Sequence, residues 1–184
     1  DTDALRSAQE MMRLDEWYVP VVQSQCDNTY VGVLGLEHII KPFYEKKTPR
    51  LRVPLFDVMS TEQLLSCSPN DEADDIWHMM KERSFAACPV VTKGKAVGIV
   101  TLQNLLESGA MLPGFESNKG RFKAPSAIKA IMRTPVQFLK PNNTVGDAAR
   151  LIVEMDIGRV PIVDDKGYLV GIVDREDILK ALIE

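Results

Sequence analysis

The sequence has 184 residues, of which 45% are hydrophobic, and this is enough apolar material for one or two compact domains. A net charge of −4 argues against a protein whose main partner is nucleic acid, and no apolar run reaches the roughly 18 residues that a membrane-spanning helix needs. The cysteines Cys26, Cys67 and Cys88 are odd in number and lack the spacing of metal ligands, so reduced thiols and a cytoplasmic location are expected.

The first part of the chain reads as a partial unit of helix, strand, strand and helix. Apolar residues at helical spacing predict an amphipathic helix over residues 4–14. Two short apolar runs predict strands near 18–22 and 30–34. A helix near 36–40 is expected to close this unit.

The second part shows the same order of elements with an additional segment in front. The pattern predicts a strand near 64–66 and a helix over 70–81. Strands are expected at 88–92 and 96–100, and a helix begins at Thr101. This part of the chain therefore predicts a complete α/β unit.

Two stretches beside this unit look like linkers. Residues 41–52 carry five Lys or Arg against one Glu, which is typical of a solvated basic linker or, alternatively, of a site for polyphosphate or RNA. Residues 108–125 are rich in Gly, Pro and Lys and follow no periodic pattern. Their length makes them a candidate lid.

The third part has the clearest pattern of the chain. Thr144 followed three residues later by Asp147 predicts a capping box, in which each side chain accepts a hydrogen bond from the other residue's backbone. Strands are predicted at 160–163 and 168–173, separated by the turn residues Asp, Asp, Lys and Gly. A last helix begins near Arg175. The apolar face of the first helix consists of Val145, Ala148, Ala149, Ile152 and Val153.

These parts are copies of one repeat. Pro20, Pro89 and Pro161 can be superposed, and the following strands read VGVLGLEHII, VGIVTLQNLL and VGIVDREDIL. Upstream, Val58-Met59 matches Ile131-Met132, whereas the first copy has no such segment. A chain that begins without Met and in mid-repeat is expected to be a fragment of a longer protein.

The repeat resembles the CBS (cystathionine β-synthase) domain, a unit that usually occurs as a tandem pair called a Bateman module. The resemblance covers a truncated copy at 1–42 and full copies at 53–108 and 124–184, with a linker at 109–123. It implies that residues 53–184 form one Bateman module. The arrangement is similar to the C-terminal part of archaeal four-repeat proteins related to the γ subunit of AMP-activated kinase.

The resemblance implies an α/β (α+β) fold with a characteristic ligand cleft. Each repeat is expected to form a small β-sheet with two helices, and two repeats pair about a pseudo-two-fold axis. Ligands in this family lie between paired repeats and are commonly adenosine derivatives, namely AMP, ADP, ATP or S-adenosylmethionine. Such a ligand needs an apolar slot for the base, acceptors for the ribose hydroxyls and donors for phosphate.

Four positions of the third copy match the family's ligand contacts. Asp177 matches the ribose-binding acid of a Ser/Thr-x-x-Asp motif, because a carboxylate can accept from two vicinal hydroxyls. Arg159 matches a position that is often basic, and its forked guanidinium suits a phosphate. Thr134 and Val136 match the opening strand, which commonly contacts the base.

Each of these matches has an ordinary structural alternative, which the sequence leaves open. Asp177 also stands where a carboxylate can cap a helix. The helix in question begins after its N-cap residue Asp174, and a negative charge in its first turn lies near the positive end of the helix dipole. Arg159 is also compatible with a surface cation. Thr134 before Pro135 is also an ordinary strand entry.

The other copies depart from the motif. In the second copy Thr101 keeps the hydroxyl and Asn104 replaces the acid, so weaker ribose binding is expected; Thr61, in its upstream segment, is a further candidate contact. In the first copy His38 stands in place of the acid and Tyr18 in place of the basic residue. No site of this type is expected there.

The third copy also departs once from the family. Asp174 stands where Ser or Thr is usual, and a carboxylate there should repel a phosphate. We therefore expect weak binding of an adenosine compound, or a preference for one without a phosphate beside Asp174, such as S-adenosylmethionine.

Motifs of catalysis are missing from the sequence. It has no GxxxxGK[ST] loop, no GxGxxG after a strand and no Cys/His metal cluster, and its only histidines are His38 and His78. We therefore expect no enzyme activity, no required cofactor and no metal site.

Two functions remain open. One is a regulatory sensor that binds an adenosine derivative and relays its presence to a partner protein or fused domain. The other is an assembly module whose degenerate sites bind nothing. The sheet of the first copy lacks a partner repeat within the chain, so its apolar face should be covered by another copy of the chain or by the missing upstream repeat, and a homodimer is expected.

Overall fold

The structure is a computed structural model of the chain, and it describes residues 3–14, 16–62, 64–109 and 126–183. Short 3₁₀ turns connect several of the longer elements. The helices and strands are, in chain order, α1 (Ala4–Arg13), β1 (Tyr18–Ser24), β2 (Asp27–Gly35), α2 (Leu36–Glu45), α3 (Ala73–Glu82), β3 (Ala87–Thr92), β4 (Lys95–Thr101), α4 (Leu102–Glu107), α5 (Val145–Met155), β5 (Arg159–Val163), β6 (Leu169–Asp174) and α6 (Arg175–Ile183).

Each repeat contributes one two-stranded sheet, β1 with β2, β3 with β4 and β5 with β6. The first two sheets are antiparallel and share a register, in which Pro20 lies opposite Val33 and Pro89 opposite Ile99. In both, the register shifts directly after the valine that follows the proline. The predicted repeat of mixed helices and strands is therefore confirmed.

Helix α5 begins at the predicted capping box. The N–H of Asp147 donates to Thr144 Oγ1 (3.2 Å), and the N–H of Thr144 donates to Asp147 Oδ2 (2.8 Å). Two backbone donors that the helix itself cannot satisfy are thereby paired. The helix ends at Asp156, whose left-handed conformation (φ 52°) stops it. Its buried residues are Val145, Ala148, Ala149, Leu151 and Ile152.

The chain folds into two compact units. The first consists of Asp1–Ser60, Leu139–Val160 and Ile172–Glu184, and the second of Thr61–Phe138 and Pro161–Gly171. The third repeat thus contributes to both units. The predicted boundaries, including one module over 53–184, stay a prediction.

The first unit packs the truncated repeat against helices of the third. Helix α2 contacts both α5 and α6. Ser60, in the opening segment of the second repeat, pairs with Ile172 of β6 through two backbone hydrogen bonds (2.9 and 3.0 Å). Fully buried side chains of this unit include Met11, Ile40, Leu55, Leu151, Ile152, Ile178 and Leu179.

The second unit is built around the second repeat. Arg133, in the opening segment of the third repeat, pairs with Ile99 of β4 through two backbone hydrogen bonds (2.8 and 3.2 Å). Ile99 and Ile172 occupy the same position of the repeat, so the same strand residue is bridged in the second and third repeats. The core of the unit contains Cys67, Ile76, Met80, Cys88, Val90, Val100, Leu105 and Ile128.

Two predicted strands are wrong. Residues 64–66 form no strand; the adjacent Cys67 makes a single parallel bridge to Val90. Thr134 and Val136 also lie outside any strand, and only Arg133 before them is bridged. One bridge gives too few ladder bonds to define a strand. The Thr134–Pro135 peptide bond is cis.

Two predicted helix boundaries are wrong as well. Helix α2 extends to Glu45 and includes Pro42, and Pro49–Arg52 form a 3₁₀ turn, so most of the predicted basic linker is helical. Helix α3 begins at Ala73 instead of residue 70, because Asp71 Oδ2 accepts from the N–H of Ser68 in a preceding turn (2.7 Å). The candidate lid lies mostly outside the described residues.

Candidate functional site

Two aspartates exchange hydrogen bonds at the start of helix α6. The N–H groups of Glu176 and Asp177 donate to Asp174 Oδ1 (3.0 and 3.1 Å). In return, the N–H of Asp174 donates to Asp177 Oδ2 (3.0 Å). This is the reciprocal geometry of a capping box, with carboxylates in both positions. The structural alternative predicted for Asp177 is therefore present.

Arg159 neutralises the first of these carboxylates. Its Nη2 lies 3.1 Å from Asp174 Oδ2, between the first residue of β5 and the last of β6. The arginine side chain is 10% exposed and that of Asp174 30%. The alternative that Arg159 is a surface cation is wrong. The expected repulsion of a phosphate by Asp174 is accordingly offset by a neighbouring guanidinium, although that guanidinium already has a partner.

The pKa of Asp177 lies well above that of an ordinary aspartate. Burial, followed by the charge of Asp174, raises the pKa of Asp177 to about 7. The backbone hydrogen bond from Asp174 and the charge of Lys180 act in the opposite direction, and Glu176 adds to the rise. A carboxyl group with this pKa is divided between its neutral and charged forms near neutral pH, which is a feature enriched at functional sites.

The corresponding residue has the same backbone role in every repeat. In the second repeat the N–H of Thr101 donates to Asn104 Oδ1 (3.2 Å), and the N–H of Asn104 donates to Thr101 Oγ1 (3.1 Å). In the first repeat the N–H of Gly35 donates to His38 Nδ1 (2.9 Å). Aspartate, asparagine and histidine therefore all accept the same backbone hydrogen bond at this position of the repeat. It occupies one oxygen of Asp177, and a carboxylate has two.

The structure brings only some of the predicted contacts together. Arg159, Asp174 and Asp177 form one group in the first unit. The remaining candidates belong to the second unit, where Thr101 and Asn104 cap α4 and Asn104 is buried. Thr61 and Thr134 are exposed and Val136 is half-buried, all outside helices and strands.

One buried group was not predicted from the sequence. Arg175, the first residue of α6, donates from Nη1 to Tyr18 Oη (2.7 Å) and from Nη2 to Asp156 Oδ1 (2.6 Å). Its Nε lies 3.6 Å from Glu37 Oε2, and neither of these buried atoms has a hydrogen-bond partner among the described residues. In the sequence Arg175 looks like an exposed helix residue, because its partners are far away along the chain.

The described ranges contain neither a metal site nor a membrane-spanning helix. No cluster of three or more His, Cys, Asp or Glu side chains has the arrangement of a metal site there. The helices of those ranges are all too short or too polar to cross a membrane.

Comparison with solved structures places this geometry among known folds. The structure of MJ1225 from Methanocaldococcus jannaschii, proposed to be an archaeal homologue of γ-AMPK, matches with a TM-score of 0.83 at 20% identity. The match covers 97% of this chain and 64% of that one. In sequence the same relative is 24% identical over 88% of this chain, which spans only 57% of the relative's length.

Two other similar structures contain ligands. CBSX2 of Arabidopsis thaliana, in complex with AMP, matches 70% of this chain and 95% of its own with a TM-score of 0.59 at 26% identity. The CBS domain pair of MJ0100, in complex with 5′-methylthioadenosine and S-adenosyl-L-methionine, matches 70% and 94% with a TM-score of 0.57 at 26% identity.

A family model matches two stretches of the chain. The model of the CBS domain matches residues 55–110 and 128–184, which together make up more than half of the chain. The protein therefore belongs to the CBS-domain family.

Proposed function

We propose that the protein is a regulatory module that binds an adenosine derivative at the start of helix α6 and relays the binding to a partner. The observation that carries the proposal is the group of Arg159, Asp174 and Asp177, in which a mostly buried guanidinium lies beside two carboxylates at one helix end. CBS domains are regulatory modules, and two similar structures contain adenosine compounds.

The chemistry of the group assigns a role to each side chain. The second oxygen of Asp177 accepts hydrogen bonds from the ribose hydroxyls, because the first already accepts from the N–H of Asp174. Arg159 is the donor for a phosphate, in competition with Asp174. The positive end of α6 adds to the attraction for an anion.

The same charges favour a ligand without a phosphate beside Asp174. One guanidinium stands against two carboxylates, so the group is net negative when Asp177 is ionised. A sulfonium compound such as S-adenosylmethionine brings the opposite charge, whereas AMP must displace Asp174 from Arg159. We propose a preference for S-adenosylmethionine over AMP, with ADP and ATP binding more weakly still.

Isothermal titration with AMP and with S-adenosylmethionine tests this preference. Asp177→Ala should weaken binding by about 1.5–3 kcal/mol, the range for charged hydrogen bonds. Asp177→Asn is the matched control for folding, because Asn104 makes the same cap in the second repeat. Submicromolar binding of AMP without any binding of S-adenosylmethionine would contradict the preference.

A second candidate function is assembly, and the first hairpin favours it. Val21 is 38% exposed, whereas Val90 and Ile162 at the corresponding positions are fully buried. Large apolar side chains on one surface are typical of an interface. We propose that two copies associate through β1 and β2 as a homodimer. Light scattering at tens of micromolar should then show a dimer, and a clean monomer would argue against it.

A further inference from the structure

Arg175 connects the candidate ligand group to the truncated first repeat. It follows Asp174 directly in the chain, and with it begins the helix that carries Asp177. Its side chain is 13% exposed, so the guanidinium is largely removed from water. A contact that fixes the start of α6 therefore also fixes the position of this guanidinium.

The partners of Arg175 come from three separate elements. Tyr18 begins β1, Glu37 lies in the first turn of α2, and Asp156 ends α5. The tyrosine ring itself lies 6.0 Å from Arg175 Cζ. The arginine thus ties β1 and α2 of the first repeat to the third repeat.

The hairpin of β1 and β2 depends on such outside contacts. Of its strand residues only Gly35 is buried, and Val19, Gly32 and Leu34 are half-buried. In β3, by contrast, the first four residues are all buried. A two-stranded hairpin with little buried surface is marginally stable in water. A charge-assisted hydrogen bond from the largely buried Arg175 to Tyr18 is therefore expected to be a large part of what orders it.

We propose that Arg175 fastens the first hairpin to the start of helix α6 and relays ligand binding there to that hairpin. The relay rests on the function proposed above. A ligand held by Asp177 and Arg159 restrains the start of α6, including Arg175. The hairpin then opens less often, because opening requires that Tyr18 leave the guanidinium.

Hydrogen exchange of the hairpin amides, without ligand, tests the first half of the proposal. Arg175→Gln should speed exchange over residues 18–35 about tenfold or more, since the charge-assisted hydrogen bond to Tyr18 and the ion pairs with Glu37 and Asp156 are lost. Arg133→Gln is the matched control, because Arg133 makes an exposed ion pair with Glu107 in the second unit. Unchanged hairpin exchange in Arg175→Gln would overturn the proposal.

Two milder variants keep this test usable if Arg175→Gln does not fold. Tyr18→Phe removes only the hydroxyl that accepts from Arg175, and it should speed hairpin exchange by a smaller factor. Arg175→Lys keeps the charge and loses the forked contact to two partners. Its hairpin exchange rate should therefore lie between those of the wild type and Arg175→Gln. If the hairpin amides of both variants exchange as slowly as those of the wild type, the proposal is overturned.

Exchange with AMP or S-adenosylmethionine present tests the relay. Ligand should slow hairpin exchange in the wild type and not in Arg175→Gln, while titration shows that the variant still binds. Equal slowing in both proteins would overturn the relay. If neither compound binds the wild type, the proposed function and the relay with it are overturned, whereas the ligand-free exchange still shows whether Arg175 fastens the hairpin.

Discussion

The second and third repeats begin their last helices with the same hydrogen bonds and different charges. Thr101 and Asn104 exchange the capping bonds as neutral groups, whereas Asp174 and Asp177 do so as acids beside Arg159. The neutral pair shows that capping does not require acids. The two carboxylates and the arginine are therefore what the third repeat adds, and the proposed function assigns them to a ligand.

The largest effect is expected from breaking the charged group of the third repeat. Arg159→Ala removes the counter-ion of Asp174 and leaves two neighbouring carboxylates together. Losing one partner of a largely buried pair should lower the free energy of unfolding by about 3 kcal/mol, the low end of the usual range because Asp174 is partly exposed. Urea unfolding measures it, with the exposed Arg133→Ala as control.

The second prediction transfers the charge to the neutral repeat. Asn104 is 6% exposed, and Asn104→Asp would bury a carboxylate where the basic counterpart of Arg159 is missing. At neutral pH the unfolding free energy should fall by about 2–3 kcal/mol, and it should recover in acid as the new group is protonated. Unchanged stability would mean that charge at this helix position has no cost, and the contrast between the repeats would lose its meaning.

The third prediction concerns the pH dependence that Asp177 brings. The pKa of Asp177 is about 7 in the folded protein and about 3.9 in an unfolded chain. Between these values the folded state binds more protons than the unfolded state, so stability decreases as pH rises. Below about 3.9 and above about 7 both states carry the same charge on this residue, and its contribution is constant.

Urea unfolding between about pH 5 and about pH 8 checks this dependence. The free energy of unfolding of the wild type should fall by up to about 1.4 kcal/mol per pH unit because Asp177 titrates. Asp177→Asn should remove that part of the slope. Asp174, Arg159, Glu176 and Lys180 stay in place in the variant and keep their own contributions. A wild-type slope that survives in Asp177→Asn would show that another group titrates.

The smallest effect is expected from the neutral cap alone. Thr101→Ala removes the oxygen that accepts from the N–H of Asn104, and it should cost about 1 kcal/mol. Thr101→Ser keeps the hydroxyl and should cost little. Thermal or urea unfolding compares the two, and equal losses would show that the methyl group, and not the cap, stabilises α4.

Local features of the fold were predictable from the sequence. The capping box of Thr144 and Asp147 and the hairpins follow from residues that are neighbours along the chain. The predicted strand at 64–66 was wrong, because whether an apolar run becomes a strand depends on how many ladder bonds a distant partner supplies. Here Val90 supplies only one bridge.

The candidate group was only partly predictable, for two physical reasons. A capping box and the family's ribose-binding motif require the same residue types at the same spacing, so the sequence could not separate these roles for Asp177. Arg159 lies in a different strand from its partner Asp174, and the partners of Arg175 are Tyr18 and other residues of distant elements. Such contacts are set by packing and leave no local pattern.

A thermal-shift measurement with and without adenosine compounds tests the central claim most directly. AMP, ADP, ATP, S-adenosylmethionine and 5′-methylthioadenosine are each added to the wild type and to Asp177→Asn, because a ligand that binds only the folded state raises its stability. The account predicts a higher Tm for the wild type with at least one compound, S-adenosylmethionine foremost, and a much smaller shift in the variant. No shift with any compound, or equal shifts in both proteins, would contradict it and favour the assembly function.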